Sequence, residues 1–317
     1  MEKLIILTGP TAAGKTKLSI ALAHAINGEI ISADSMQVYK YMDIGSAKIR
    51  PEEMQGIKHY LVDLLEPSED FNIVRFQKYA KQAMKKIYAK GKTPILVGGT
   101  GFYIQSVLYD IDFQKSDEDA ALRAELEEIA KQKGAAYLHN MLRECDEKAA
   151  EEIHENNIKR VIRAIEFFRQ TGQKISEHNE TERQKQSAYD ARYFVLTDER
   201  QKLYTNIDRR VDLMIENGLV DEVKKLVDMG CKRESTAMQG LGYKEILSYL
   251  EGEMTLDEAV YIIKRDTRHF AKRQLTWFRR ERDVIWVEKN KFAYDEEKML
   301  NYMLGAINNE HGNTKHI

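Results

Sequence analysis

The stretch GPTAAGKT at residues 9–16 fits the pattern G-x-x-x-x-G-K-[ST], with Gly9, Gly14, Lys15 and Thr16 at the required positions. Glycines let such a loop curl so that successive N–H groups point inward, the lysine neutralises phosphate oxygens, and the neighbouring hydroxyl can hold Mg²⁺. These residue types at this spacing make a phosphate cradle. They do not say which molecule carries the phosphate. Asp34 follows EIISA and is expected beside the cradle, where a carboxylate has three readings: a Mg²⁺ ligand, a general base, or the N-cap of a helix. Nucleotide hydrolases keep a further acid on a strand near the phosphates. TPILVGGTG has no acid at its end, and LVDLLEP offers Asp63 and Glu66 in a weaker context. The phosphate is therefore expected to depart as a leaving group rather than to be transferred.

Two basic stretches could serve an anionic substrate. In NIDRRVDLM, a helical period turns Ile207, Val211 and Met214 to the core and leaves one of Arg209 and Arg210 free to reach the cradle, although exposed arginine pairs are most often solvated surface. From Lys264 to Arg282, eight Lys and Arg residues face two acidic ones, net +6, whereas residues 116–155 hold 12 acidic against 5 basic, net −7. A chain of net charge −2 thus has one local anion-binding face and not a general one. Phe270, Trp277 and Phe278 lie among those cations, but aromatics at helical spacing are more often core than base-stacking platforms.

The elements that must position these residues alternate at first. A short apolar strand at 3–8 leads into the cradle, a helix follows over 15–26, then strand EIIS, a helix over 72–90, and the buried strand TPILVGGTG. Alternating strand and helix predicts an α/β fold: a P-loop NTPase-like parallel sheet flanked by helices. Ligands of such sheets gather at the C-terminal ends of strands, so GPTAAGKT, ADSMQ and GGTG should converge. From 113 to 190 the pattern changes to short charged helices, including NNIKRVIRAIEFFRQTG, which predicts an all-helical insertion domain. RYFVLT resumes the catalytic core, which therefore comprises 1–112 and 191–317. Helices are predicted at 199–217, 218–229 and 255–281, then strand VIWV, a last helix and a polar tail.

With 317 residues, 43% of them hydrophobic, the chain can bury a sizeable core. No apolar run approaches the ~20 residues of a membrane helix. Cys145 and Cys231 form no C-x-x-C, which argues against a disulfide framework or a zinc site. A cytoplasmic monomer with no membrane association is expected.

Six ordered stretches resemble one family, the tRNA dimethylallyltransferases, also called isopentenyl-diphosphate:tRNA isopentenyltransferases. GPTAAGKT is similar to the family's GPTASGKT, ISADSMQVYKYMDIGSAK to the signature after the second strand, and LVGGTGFYIQ to its glycine strand; NNIKRVIRAIE, TAMQGLGYKE and AKRQLTWFR match as well. The resemblance runs from about Leu4 to Trp286. Ala13 departs from a frequent serine, and Gln239 stands where some bacterial relatives have arginine. With no zinc finger after the core, the chain resembles the bacterial form.

The resemblance implies transfer of a dimethylallyl group from dimethylallyl diphosphate to N6 of the adenosine 3′-adjacent to the anticodon, in tRNAs reading codons that begin with U. Asp34 would be the base. The loop of Gly9, Pro10, Thr11, Ala12, Ala13, Gly14, Lys15 and Thr16 would hold the diphosphate, Thr16 would help to coordinate Mg²⁺, and Arg210 would compensate the departing charge. Asp34, Ser35, Met36, Gln37, Thr100, Arg123, Gln239 and the segment Lys159, Arg160, Val161, Ile162 and Arg163 would meet the tRNA anticodon stem-loop. Other chemistries on the same cradle are prenylation of free AMP and phosphorylation of a small molecule.

Overall fold

The computed structural model describes residues 1–113 and 120–308. Six strands, β1 (Lys3–Thr8), β2 (Gly28–Ala33), β3 (His59–Tyr60), β4 (Thr93–Gly98), β5 (Asp190–Thr197) and β6 (Val284–Glu288), form one sheet in the order β3-β2-β4-β1-β5-β6. Every pairing is parallel. The central strands are short apolar runs such as LIIL, PILV and YFVL because helices cover both faces of a parallel sheet and leave no side for water. Registry puts Thr8 opposite Gly98 on one side and opposite Val195 on the other, and Ala33 opposite Gly98. The C-terminal ends of β1, β2, β4 and β5 are thereby level. Strand order reverses at β1, which puts the cradle at the switch point of the sheet.

Thirteen α-helices are described: α1 (Lys15–Ala25), α2 (Ile73–Tyr88), α3 (Gly101–Leu108), α4 (Ala120–Lys133), α5 (Ala135–Cys145), α6 (Glu147–Glu152), α7 (Ile158–Thr171), α8 (Ile175–Gln184), α9 (Arg200–Glu216), α10 (Leu219–Asp228), α11 (Tyr243–Leu250), α12 (Leu256–Phe278) and α13 (Glu296–Asn308). On one side of the sheet, Leu18 and Leu22 of α1 and Met299 and Met303 of α13 pack with Ile5, Leu7 and Phe194. The predicted helices over 72–90, 199–217, 218–229 and 255–281 correspond to α2, α9, α10 and α12 with ends shifted by one to three residues. The sequence pattern did not disclose α3, eight residues with apolar positions on most of its circumference, or the two-residue edge strand β3. The predicted polar tail after Asn308 falls outside the described residues.

The chain divides into two compact units, Met1–Leu108 with the residues from Ala188 onward, and Tyr109–Ser187. The second unit contains α4 to α8 and, among its described residues, no strand. Leu126, Leu138, Leu142, Val161 and Ile165 fill its core. Buried Asp146 caps α6 through Ala149 N and also accepts from Ser176 N and Oγ at the start of α8, so one carboxylate ties two helix ends together.

Candidate active site

The cradle follows β1 without a break. Gly9 has φ +149°, a conformation that side-chain-bearing residues rarely adopt, and a Cβ there would collide with the Leu196 carbonyl of the adjoining strand, so only glycine lets the chain turn off β1 at this point. Gly14 has φ +92° and sits at the N-cap of α1, directing the first amides of that helix to the loop. Lys15 Nζ donates to the carbonyls of Gly9 and Pro10, both at 2.9 Å, which folds the ammonium over the loop's first turn. Thr16 is exposed at the loop's end.

Asp34 leaves the C-terminal end of β2. Its Oδ1 accepts from Met36 N at 2.9 Å and from Gln37 N at 3.4 Å, which closes a tight turn; no helix begins here, so Asp34 is not a helix N-cap. Among the described residues Oδ2 accepts no hydrogen bond and is free for chemistry. The same carboxylate acts electrostatically on Lys15 and on Arg210. Arg210 reaches the cradle from α9, with Ile207 and Val211 buried beneath it, while Arg209 is exposed. Burial first and the neighbouring Arg210 second bring the pKa of Lys15 down to about 8, against the opposing pull of Asp34. Arg210 is likewise lowered, by burial, against the pull of Asp34. Two cations and one carboxylate in a confined space leave a net charge of +1, which suits an anion.

Of the other expected residues, Ser35, Met36, Gln37 and Thr100 follow β2 and β4 and are half-buried. Thr100 N donates to Ala33 O at 3.3 Å, so the β2 and β4 loops lie side by side. Gln239 is exposed and donates through Nε2 to Arg233 O. The segment 159–163 needs correction. Val161 and Ile162 are 0% and 3% exposed in the core of the helical unit, so their side chains cannot meet RNA. Amphipathic α7 turns them inward, and of this segment Lys159, Arg160 and Arg163 belong to its polar side. Lys159 and Arg160 are exposed, and Arg163 is half-buried. Arg123 forms a two-pronged pair with buried Glu166, at 2.9 and 2.7 Å, within the helical unit.

Two residues at the cradle escaped the sequence reading. Buried Gln274 of α12 accepts from Thr11 N at 2.9 Å and donates to Gly99 O at 2.9 Å, bridging the cradle to the glycine turn after β4. Lys289 donates to Ala13 O at 3.3 Å and lies 4.0 Å from the buried Asp198 carboxylate at the end of β5. Both belong to elements more than 250 residues away in sequence, and a polar residue inside a basic helix carries no local sign of such a partner. The basic stretch itself resolves into two halves. Lys264 and Arg268 are neutralised by Asp212 and Asp208 of α9. Lys272 and Arg280, with no ion pair among the described residues, line a cavity of about 340 Å³ together with His269, Arg273 and Trp277.

Residues 37–281 match the model of the IPP transferase family. The chain belongs to that family. A tRNA dimethylallyltransferase of Lachnoclostridium phytofermentans is 63% identical over 295 residues, covering 93% of this chain and 94% of its own. One from Acetivibrio thermocellus is 55% identical over 309 residues, 97% and 99% of the two chains. Among solved structures, the full-length tRNA isopentenylpyrophosphate transferase of Bacillus halodurans superposes with a TM-score of 0.72 at 44% identity, covering 96% of each chain. A eukaryotic dimethylallyltransferase acting on tRNA gives 0.77 at 30% identity, covering 91% of this chain and 74% of the other. Family membership and these overlaps make the chain a transferase of the P-loop-like IPP transferase fold. No described helix is long and apolar enough to cross a membrane.

Proposed function

We propose that this protein transfers the dimethylallyl group of dimethylallyl diphosphate to N6 of the adenosine 3′-adjacent to the anticodon of tRNAs that read codons beginning with U. The observation that carries this reading is Asp34, the carboxylate that acts on both Lys15 and Arg210 beside the phosphate cradle, while the other acid near the cradle, Asp198 at the end of β5, faces Lys289. The names of relatives up to 63% identical support it.

The amine lone pair of adenosine is delocalised into the ring, so the reaction needs help at both ends. As the N6–C1 bond forms, the C1–O bond to diphosphate breaks. The N6 proton passes to Asp34 Oδ2, while Oδ1 stays pinned by the amides of Met36 and Gln37. Lys15, Arg210 and the amides of the cradle stabilise the charge that collects on the departing diphosphate. Mg²⁺ fits the same place. The Thr16 hydroxyl faces solvent and forms no hydrogen bond among the described residues, and no cluster of three His, Cys, Asp or Glu side chains stands there to hold the ion unaided. A hydroxyl, diphosphate oxygens and water make a ligand set that Mg²⁺ accepts. When bound it would supply further charge neutralisation to the leaving group. A base stacked in an anticodon loop cannot reach Asp34 and must be flipped out, at a cost of roughly a few kcal/mol. Ser35, Met36, Gln37 and Thr100 then line its path.

The test is an acceptor series with labelled dimethylallyl diphosphate: unmodified tRNA, a stem-loop of the anticodon arm, and AMP, with ATP turnover measured in parallel. Label should enter both RNAs and not AMP. Labelled AMP, or ATP turnover that depends on a small acceptor, would replace this reading with one of the other two chemistries.

Two further outcomes are expected. Donor affinity should fall as pH rises through about 8, because the protonated Lys15 binds the diphosphate and its ammonium loses its proton there. Above that point the loss should approach about tenfold per pH unit, the limit for one linked proton. Lys15→Arg, measured by titration of the donor across pH, should remove that limb. Secondly, neutralising Lys159, Arg160 and Arg163 together should weaken binding of all stem-loop sequences alike. It should also lower the slope of log K against log salt by up to about one unit per charge, since phosphate contacts position RNA without reading it. A triple variant with an unchanged salt slope would remove α7 from the RNA interface.

A further inference from the structure

Glu222 of α10 stands apart from the cradle and takes no part in the chemistry just described, yet its carboxylate accepts four hydrogen bonds. Oε2 accepts from Asp43 N and Ile44 N, both at 2.8 Å, and Oε1 from Gly45 N at 3.0 Å and from Tyr243 OH at 2.7 Å. Three consecutive amides of one turn thus end on one side chain. Gly45 lies so close to the Tyr243 ring that a Cβ would stand 2.6 Å from it, which leaves the turn no room to shift. Burial and the neighbouring Glu222 push the Tyr243 phenol well above its ordinary range, so it remains a donor at any working pH.

The turn is internally braced. Ala47 N donates to Ile44 O and Lys48 N to Asp43 O, both at 2.9 Å. Lys48, 8% exposed, donates to Tyr39 O and pairs with Asp43 and Asp63. The carbonyls that emerge from this turn, Ser46 O and Ala47 O, each accept from Gln37 Nε2 at 3.4 Å, while Gln37 Oε1 accepts from Ser32 Oγ at 3.1 Å. The turn therefore decides which way the Gln37 amide faces. A swivelled Gln37 would exchange donor for acceptor along the path of the base, and a base edge is read by that pattern.

We infer that Glu222 is a positioning residue for the acceptor base: by gripping the amides of Asp43, Ile44 and Gly45 it sets the carbonyls that orient Gln37. The inference rests on the reading of Gln37 as part of the adenosine's path. A purely structural brace would lower thermal stability and leave the kinetics of the folded protein unchanged. A positioning residue shifts the constants for one substrate only, and shifts them through Gln37.

The experiment is a double-mutant cycle on the full chain, read as kcat/KM for tRNA and KM for dimethylallyl diphosphate. Gln37→Ala and Glu222→Ala should each lower kcat/KM for tRNA by roughly tenfold, the worth of one or two buried hydrogen bonds, with KM for the donor unchanged. The double variant should be no worse than the poorer single one, because both remove the same orientation. Glu222→Gln keeps one acceptor oxygen and the residue's shape, so it should fold even where alanine does not. It should fall between wild type and alanine. Normal kcat/KM in both Glu222 variants beside an impaired Gln37→Ala would overturn the inference alone, as would losses that multiply in the double variant. A silent Gln37→Ala would overturn the reading on which it rests, and the inference with it.

Discussion

Asp34→Asn should retain tRNA and donor binding within a few-fold while its turnover falls by about 10² or more, the usual scale for loss of a general base. Asparagine has the same shape, and its Oδ1 can still accept from Met36 N and Gln37 N, so the turn after β2 persists. What it lacks is a lone pair at the Oδ2 position basic enough to take the N6 proton. The substitution also removes the charge that opposes the lowering of Lys15 and Arg210. The pH limb of donor binding should therefore move below its wild-type position near 8, in the direction opposite to a loss of cations. Single-turnover measurements with donor pre-bound isolate the chemical step. Unchanged turnover in Asp34→Asn would leave this residue as the cap of a turn and nothing more.

The second large effect belongs to the cations. Alanine at Lys15 or at Arg210 should slow transfer by roughly 10² to 10³, the range seen when one preorganised charge-stabilising group is lost. Affinity for the anticodon stem-loop should stay largely intact. The two variants are distinguishable by pH. Arg210→Ala removes a repulsion that lowers Lys15, so the donor-binding limb should move upward from about 8. In Lys15→Ala the limb should vanish. Equal losses of tRNA affinity in both would place these side chains on the RNA and not on the diphosphate.

The fold was legible where the chemistry is local. The cradle, the strand before it and the helix after it lie within residues 3–25, and each strand of the sheet's centre is a contiguous apolar run. Asp34 could be singled out because it directly follows a strand. Its three readings could not be separated from sequence, since the closeness of Lys15 and Arg210 exists only once β1, β2 and α9 are assembled. Gln274, Lys289 and Glu222 were missed for the same reason. Each acts on backbone groups far away in the chain, and a side chain's bond to a distant amide leaves no pattern of spacing. Val161 and Ile162 show the opposite case: a contiguous segment is not one surface, because a helix turns neighbouring residues to different sides.

The most direct measurement is nucleoside analysis of an unmodified tRNA reading a codon that begins with U, after incubation with dimethylallyl diphosphate and the wild-type protein. One dimethylallyl group should appear on N6 of the adenosine immediately 3′ of the anticodon, with one diphosphate released for each group transferred, and Asp34→Asn should yield neither at a comparable rate. Label on any other nucleoside, or diphosphate released without an acceptor being modified, would contradict the account.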